Sequence, residues 1–426
     1  MLGLLDRCTP RRPFRGWQRM GKVIAALREG TWLSAERIRR LAVVATSGTV
    51  LFLLFLVATA HGLSDFSARP LGTDFSSFYA AGRVAGQGQN PYDPASLHGM
   101  QQTIFGTGTP YYAFAYPPIF LLLAWPMAGL PYLLSLAIWQ GVTFVLYLAS
   151  MALLKRRFAG TFPDGLFYLS AVGFTAVFVN VTHGQNGFLT AALFATAIAF
   201  LNKRPWLAGL CFGLAAYKPQ FGLLVPFALV AGGHWRSFAG ATATVLGLTA
   251  ASALAFGVRI WPEFLAGSDL ARHVILEQDG VGYAKMVSVF AWLRLWHMPL
   301  AAAYTGQAIA ALLALILVVR LWRPGGDLRL QGAVLCIGTL LATPFALDYD
   351  LMILAPALLL LAAYDAVNRP IPFGATLLFV LWAMPLFVRS IASLTLIPMA
   401  PLALAASLFL VNARSRARDP GIFPLR

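Results

Sequence analysis

Uncharged, apolar runs recur along almost the whole of this chain, many close to the ~20 residues that carry a helix across a hydrocarbon core of ~30 Å. No other feature limits the fold so tightly. Charge is too scarce for a soluble surface: 11% of the residues are charged and 59% are hydrophobic, where soluble domains carry roughly 25% and 45–50%. The fold class this predicts is an all-α polytopic membrane protein. The runs fall near 41–60, 132–154, 165–182, 188–202, 205–217, 221–235, 238–257, 300–322, 331–347, 351–366, 372–388 and 394–412. A bundle of about twelve spans, forming one transmembrane domain over 41–412, is the expectation. A basic segment (1–40) and a basic tail (413–426) flank it.

The net charge of +16 does not point to nucleic acid. Lys and Arg cluster next to apolar runs, which is the positive-inside pattern. With twelve spans the outer segments hold only Arg69, Arg83, Lys218, Arg259, Arg272, Lys285, Arg294 and Arg389 of the 32 basic residues. Both termini are then cytoplasmic. The block 1–40 should lie against anionic headgroups, partly as an amphipathic helix, and it reads as retained rather than as a signal peptide. Cys8, Cys211 and Cys336 form no CxxC pair and match no zinc spacing. The absence of a P-loop, of a strand-linked GxGxxG and of HExxH removes ATP-driven pumping, dinucleotide binding and that zinc chemistry from the motif readings.

Two polar stretches interrupt the apolar pattern, 61–116 and 258–286, and acids gather in both. The first holds GTDFSSFYAAG (72–82), QNPYDP (89–94) and FAYPP (114–118). Asp74 is followed by Phe75, Phe78 and Tyr79, and a carboxylate partly desolvated by aromatics is a stronger base near neutral pH. The plainer alternative is a helix cap, because Thr73 and Asp74 precede a helical run. After FAYPP the short apolar run 117–130 is too short to cross and reads as a half-helix or interfacial helix.

In HGQNG (183–187) the amides of Gln185 and Asn186 suit sugar hydroxyls and His183 can hydrogen-bond or titrate. Turn geometry accounts for the glycines but less well for His183 and Gln185. Lys218, in AYKPQ (216–220), is costly at membrane depth unless it pairs, faces water or snorkels. A lipid phosphate or an outer acid such as Asp74 would serve as its partner. ATPFALDYD (342–350) carries Asp348 and Asp350, which can bind a divalent ion, hold a substrate or pair with Arg389. The metal reading is weak, and no metal ligands are assigned.

DFSSFYAAG, NPYD, FAYPP, HGQNG and KPQ, in that order over about 65–360, resemble glycosyltransferase family 87, typified by polyprenol-phosphate-mannose-dependent α-1,2-mannosyltransferases of actinobacteria. The resemblance implies a GT-C bundle in a bacterial inner membrane, with short interfacial helices in its first extracytoplasmic loop and an active site on that face. It implies transfer of a hexose, such as mannose, from a polyprenyl phosphate to a lipid or glycan acceptor, with inversion. The family's catalytic Asp maps onto Asp74, and no cofactor is implied. Tyr79, Tyr116, His183, Gln185, Asn186, Lys218, Arg272, Tyr349 and Asp350 are the candidate substrate contacts, with Lys218 and Arg272 offered for the phosphate by position alone. The family's late loop carries histidines after Ser/Thr-Pro, whereas this chain reads Thr343-Pro344-Phe345-Ala346-Leu347-Asp348-Tyr349-Asp350 there. The prenyl chain is expected in a groove near 117–130 and 205–235. A secondary transporter or lipid-linked-sugar flippase is the alternative, against which stands a large first loop with no second-half copy; a transferase turned assembly subunit is a third, against which stands the retention of Asp74.

Overall fold

The computed structural model describes residues 15–160 and 162–418, and among them every regular element is helical apart from three isolated backbone bridges. Residues 1–14 of the basic N-terminal block and 419–426 of the tail lie outside the described residues. Helix α1 (Arg15–Glu29) is pinned to the far end of the chain, where the Thr376 hydroxyl donates to the Leu27 carbonyl at 2.7 Å. Helix α2 (Ala35–Ala58) starts earlier than the apolar run because the Ser34 side chain caps it, accepting from the Arg37 N–H. Only Ala42 of α2 is buried, and Val44, Leu51 and Leu54 are exposed, as a lipid-facing helix requires.

The polar stretch after α2 folds into α3 (Thr73–Gly86) and α4 (Pro94–Phe105), with α5 (Pro118–Ala128) behind them. At Gly82 the α3 backbone runs against α5, since a Cβ there would stand 2.3 Å from the Ala124 carbonyl oxygen. The chain continues as α6 (Tyr132–Phe158), α7 (Asp164–Val172), α8 (Thr175–His183), α9 (Gly187–Phe200), α10 (Pro205–Leu214), α11 (Pro219–Gly222), α12 (Val225–Ala231), α13 (Trp235–Phe256) and α14 (Ile260–Ala271). It ends with α15 (Val289–Leu295), α16 (Leu300–Leu321), α17 (Leu328–Ala342), α18 (Leu354–Asp365), α19 (Gly374–Ala383), α20 (Val388–Thr395) and α21 (Met399–Arg418).

The count of twelve spans is not reached. Among the described residues four helices, α2, α6, α13 and α16, are long and apolar enough to cross a bilayer. Six do so if α7 with α8, and Gly374–Leu386 with α20, each form one bent span. Helix length accounts for the shortfall. Helix α17 has 15 residues, nearly all buried, and at ~1.5 Å per residue it is about 22 Å long. A helix apolar all round is buried by other helices as readily as by lipid, and its sequence does not say which. Helices α9, α10, α17 and α18 contribute to this dry centre, and Cys211 on α10 and Cys336 on α17 are free, buried thiols within it.

Two bends interrupt the short helices. The α7–α8 pair bends by 44° and the segment before α20 bends by 80°. Each break supplies a turn whose backbone and polar side chains are not committed to a helix.

Candidate active site

A cavity of about 410 Å³ opens where the first turn of α3, the 183–187 turn, the Lys218 junction, the loops 280–287 and 343–350 and helix α20 meet. Two glycines let the first two approach. Gly72 (φ 69°) and Gly184 (φ 67°) are both left-handed, a conformation glycine adopts without strain. A Cβ on Gly184 would lie 2.7 Å from the Phe75 Cβ and 3.2 Å from the Gly72 Cα. The two backbones therefore touch, and Gln185 Nε2 donates to Asp74 Oδ2 at 3.1 Å. Gln185 Oε1 accepts from the Asn186 N–H at 2.8 Å and from the Tyr116 hydroxyl at 3.3 Å, which holds the amide facing the carboxylate.

Asp74 is not the helix cap. That position is Gly72, and no side chain caps α3. The carboxylate stands in the first helical turn, half-buried on the cavity wall. Behind it Phe75 and Phe78 are fully buried, and Trp139 ties its indole N–H to the Gly184 carbonyl at 3.1 Å.

Lys218 is placed by a proline. Residue 218 precedes Pro219, which disfavours helical backbone, and it adopts φ −122°, ψ 79° between a 3-10 turn and α11. Its Nζ lies 2.5 Å from Asp350 Oδ1, and the side chains are 4% and 2% exposed. It does not snorkel. Asp350 Oδ2 accepts the Leu347 N–H at 3.0 Å. The Tyr116 and Tyr349 ring centres stand 5.7 and 5.1 Å from the ammonium, close enough to stabilise a desolvated cation.

Tyr116, His183 and Tyr349 line the cavity together with Asp74, Gln185, Lys218 and Asp350. His183 Nδ1 lies 2.8 Å from the Val179 carbonyl, and its ring faces Tyr349 at 6.1 Å. Asn186 sits beneath the wall rather than on it, fully buried, its carbonyl accepting from the Thr190 and Tyr217 hydroxyls at 3.2 Å. Tyr79 is buried against the turn between α5 and α6, donating to the Leu130 carbonyl at 2.7 Å with its ring 5.2 Å from that of Tyr132, and does not reach the cavity. Arg272 also lies outside it, held by Asp269 at 2.8 Å and Glu277 at 2.5 Å. Asp348 and Asp350 diverge: Asp348 Oδ1 takes the Tyr349 N–H at 2.9 Å and only Asp350 meets Lys218. Among the described residues no three His, Cys, Asp or Glu side chains converge on one point.

Other cavity residues were not among the candidate substrate contacts. Arg69, Tyr217, Lys285 and Arg389 all line the cavity. Arg389 had a signal, since an arginine inside an apolar run needs a polar reason to be there. Tyr111 and Tyr112 line it as well, and burial pushes both phenols above their ordinary range, so both remain hydroxyl donors at neutral pH.

Over residues 114–344 the sequence matches glycosyltransferase family 87. The chain belongs to that family. Membership makes it a membrane glycosyltransferase, with a sugar donor and an acceptor as its substrates. The family match takes in Tyr116, His183, Gln185, Lys218 and Lys285 but ends short of Asp74 on one side and of Tyr349, Asp350 and Arg389 on the other. The cavity joins the two sets. No curated protein and no solved structure matches the chain.

Proposed function

We propose that this family 87 member transfers a hexose, such as mannose, from a polyprenyl-phosphate donor to a hydroxyl of a lipid or glycan acceptor, with Asp74 as general base. One observation carries the assignment of the base. Of the two carboxylates lining the cavity among the described residues, Asp350 is neutralised by Lys218, whereas Asp74 accepts only from the uncharged amide of Gln185. Asp74 is therefore the carboxylate free to take a proton. The acceptor oxygen attacks C1 of the sugar, the C1–O bond to phosphate breaks, and polyprenyl phosphate departs. The acceptor proton passes to Asp74, and attack opposite the leaving group inverts C1.

The size and surroundings suit these substrates. A cavity of about 410 Å³ falls in the usual range of ~300–1,000 Å³ for small-molecule sites. A second, apolar groove of about 470 Å³ runs between α10, α12 and α13, beginning at Pro219, the residue after Lys218. Its walls include Leu223, Phe227 and Leu246, all exposed on the lipid side. A prenyl tail lying in that groove brings its phosphate to the polar cavity. In this reading the bundle is of GT-C type, both termini are cytoplasmic and the cavity faces outward from a bacterial inner membrane.

The test is transfer in reconstituted vesicles from radiolabelled polyprenyl-phosphate mannose to endogenous lipid or glycan acceptors, wild type against Asp74→Asn. Transfer by the wild type that collapses in a folded Asp74→Asn protein supports the reading. Undiminished transfer in the variant removes Asp74 as the base, and transfer by neither protein directs the assay to other polyprenyl-phosphate sugars.

A further inference from the structure

Transfer from a polyprenyl phosphate builds negative charge on the departing phosphate, because a singly charged diester becomes a monoester that can carry two charges. Catalysis needs cations aimed at that oxygen. Lys218 is poorly placed for it: its charge is already met by Asp350 at 2.5 Å in a pair sealed from solvent. Arg272 is occupied by Asp269 and Glu277 outside the cavity. Among the described residues three other cations line the cavity: Arg69, which stands apart in the turn ahead of α3, and Lys285 and Arg389, which lie near one another. Lys285 closes the 3-10 turn Tyr283–Lys285, and Arg389 stands in the first turn of α20, which packs on that turn. The Lys285 Nζ lies 5.2 Å from the Tyr349 ring centre, and the Lys218 Nζ lies 5.1 Å from that same ring.

The placement has a structural cause. The 80° break ahead of α20 turns the chain out of the line of the apolar helix Gly374–Leu386. Arg389 thereby reaches the cavity instead of lipid, where an arginine is costly. The loop carrying Lys285 is fastened across from it, with the Val287 N–H donating to the Ala346 carbonyl at 2.9 Å beside Leu347 and Tyr349. Asp74 belongs to a different part of the wall, on α3 and held by Gln185.

We infer that Lys285 and Arg389 together form the clamp for the donor's phosphate and for the departing polyprenyl phosphate. The inference rests on the polyprenyl-phosphate donor proposed above. The guanidinium offers paired N–H donors to two phosphate oxygens, and the ammonium supplies a point charge. In the transfer step the C1–O electron pair moves onto the phosphate oxygen that these two groups face, while the acceptor proton goes to Asp74.

The experiment is equilibrium binding of radiolabelled decaprenyl phosphate to the full-length protein in zwitterionic-lipid nanodiscs, at several salt concentrations. Lys285→Gln and Arg389→Gln should each weaken binding roughly tenfold or more, as loss of a charge-assisted contact does. The double variant should lose more, and the salt dependence should flatten with each charge removed. Arg389→Lys and Lys285→Arg, which keep the charge, should recover part of the affinity, and Arg272→Gln should bind as the wild type does. Melting temperatures identify any variant that fails to fold, and the charge-keeping pair then decides the case: folded Arg389→Lys and Lys285→Arg proteins that bind no better than the glutamine variants count against the clamp. Binding by the wild type that Lys285→Gln and Arg389→Gln leave intact overturns this inference alone. A wild type that does not bind decaprenyl phosphate overturns the donor reading, and this inference with it.

Discussion

Two cavities of similar size sit in different parts of this bundle, and only one has the makings of a site. The polar cavity holds about 410 Å³ and is walled by carboxylates, cations, amides and tyrosines. The other holds about 380 Å³ between α2, α6, α7, α18 and α19, walled by side chains such as Met151, Phe167, Leu359 and Trp382. Volume does not separate them. The polar one lies where helices stop: at Gly72, at Gly184, before Pro219 and at the bend ahead of α20. The apolar one is bounded largely by helix interiors, whose backbone groups are already paired. In a chain this poor in charge, helix breaks are what bring polar chemistry into the interior.

The largest effect should come from the carboxylate that distinguishes the first cavity. Asp74→Asn keeps an oxygen for the Gln185 amide, so the fold should stand, while transfer falls by roughly a hundredfold or more with loss of the general base. Leu359→Ala, which only enlarges the apolar cavity, should leave transfer per folded molecule unchanged. A radiolabel transfer assay run on both proteins at equal folded concentration decides it. Equal activity in the two would erase the distinction between the cavities.

The same contrast can be drawn between two buried ion pairs. Lys218–Asp350 stands on the polar wall, whereas Arg414–Asp365, also at 2.5 Å, ties α21 to α18 away from that wall. Removing one partner strands a buried charge, at a cost of about 3–5 kcal/mol. Lys218→Met and Arg414→Met should therefore both lower the melting temperature in detergent, Arg414→Met less because Asp365 is 16% exposed and Asp350 only 2%. Only Lys218→Met should also reduce transfer by the molecules that remain folded. Adding Asp350→Leu to it should restore stability and not activity. If Arg414→Met impairs transfer equally, the pair on the wall has no special part in the site.

Local signals carried much of this site and tertiary ones did not. The run DFSSFYAAG reads as a helix start with an acid in it, and HGQNG reads as a turn, because glycine and amide residues act over a few positions. That Asp74 faces Gln185 follows from backbone contact between two glycines far apart in sequence, and no local rule reports it. The partner of Lys218 is 132 residues away. The sequence left several acids open for it, Asp74 among them, and the fold selects Asp350. Tyr79 misled because, five residues on from the acid, it falls on another face of α3, where its hydroxyl meets the Leu130 carbonyl and its ring meets Tyr132. Helix type was legible throughout, but span count was not, since α17 is as apolar as a lipid-facing helix and is buried in protein.

A smaller effect tests the apolar cavity directly. Ala362 lines it, half-buried, and Ala362→Leu fills part of the space. The gain in stability should be no more than about 1–2 kcal/mol, reduced by any strain of insertion. Transfer kinetics should not move. A changed KM for the polyprenyl donor would mean that this second cavity takes part in substrate binding, and the two regions would then have to be treated as one.

The smallest effect concerns charges that lie near the polar cavity without belonging to it. Asp269 is held below the usual carboxylate range by the hydrogen bond from Arg272, and Glu277 by that from the Tyr304 hydroxyl with Arg272 adding to it. Carboxylates whose folded values lie below their unfolded ones stabilise the fold above the unfolded value and lose that contribution as pH falls through the folded one. In the wild type this contribution is complete near pH 6 and fades below about pH 4, where ordinary carboxylates protonate. Arg272→Gln removes one cause of both shifts, so it should melt slightly lower than the wild type at pH 6, and the gap should close towards pH 3. Transfer near neutral pH should be untouched, because the Arg272 side chain does not reach the cavity. A gap that stays constant with pH would show that Arg272 acts through packing rather than charge. A loss of transfer would move this cluster from the neighbourhood of the site into the site itself.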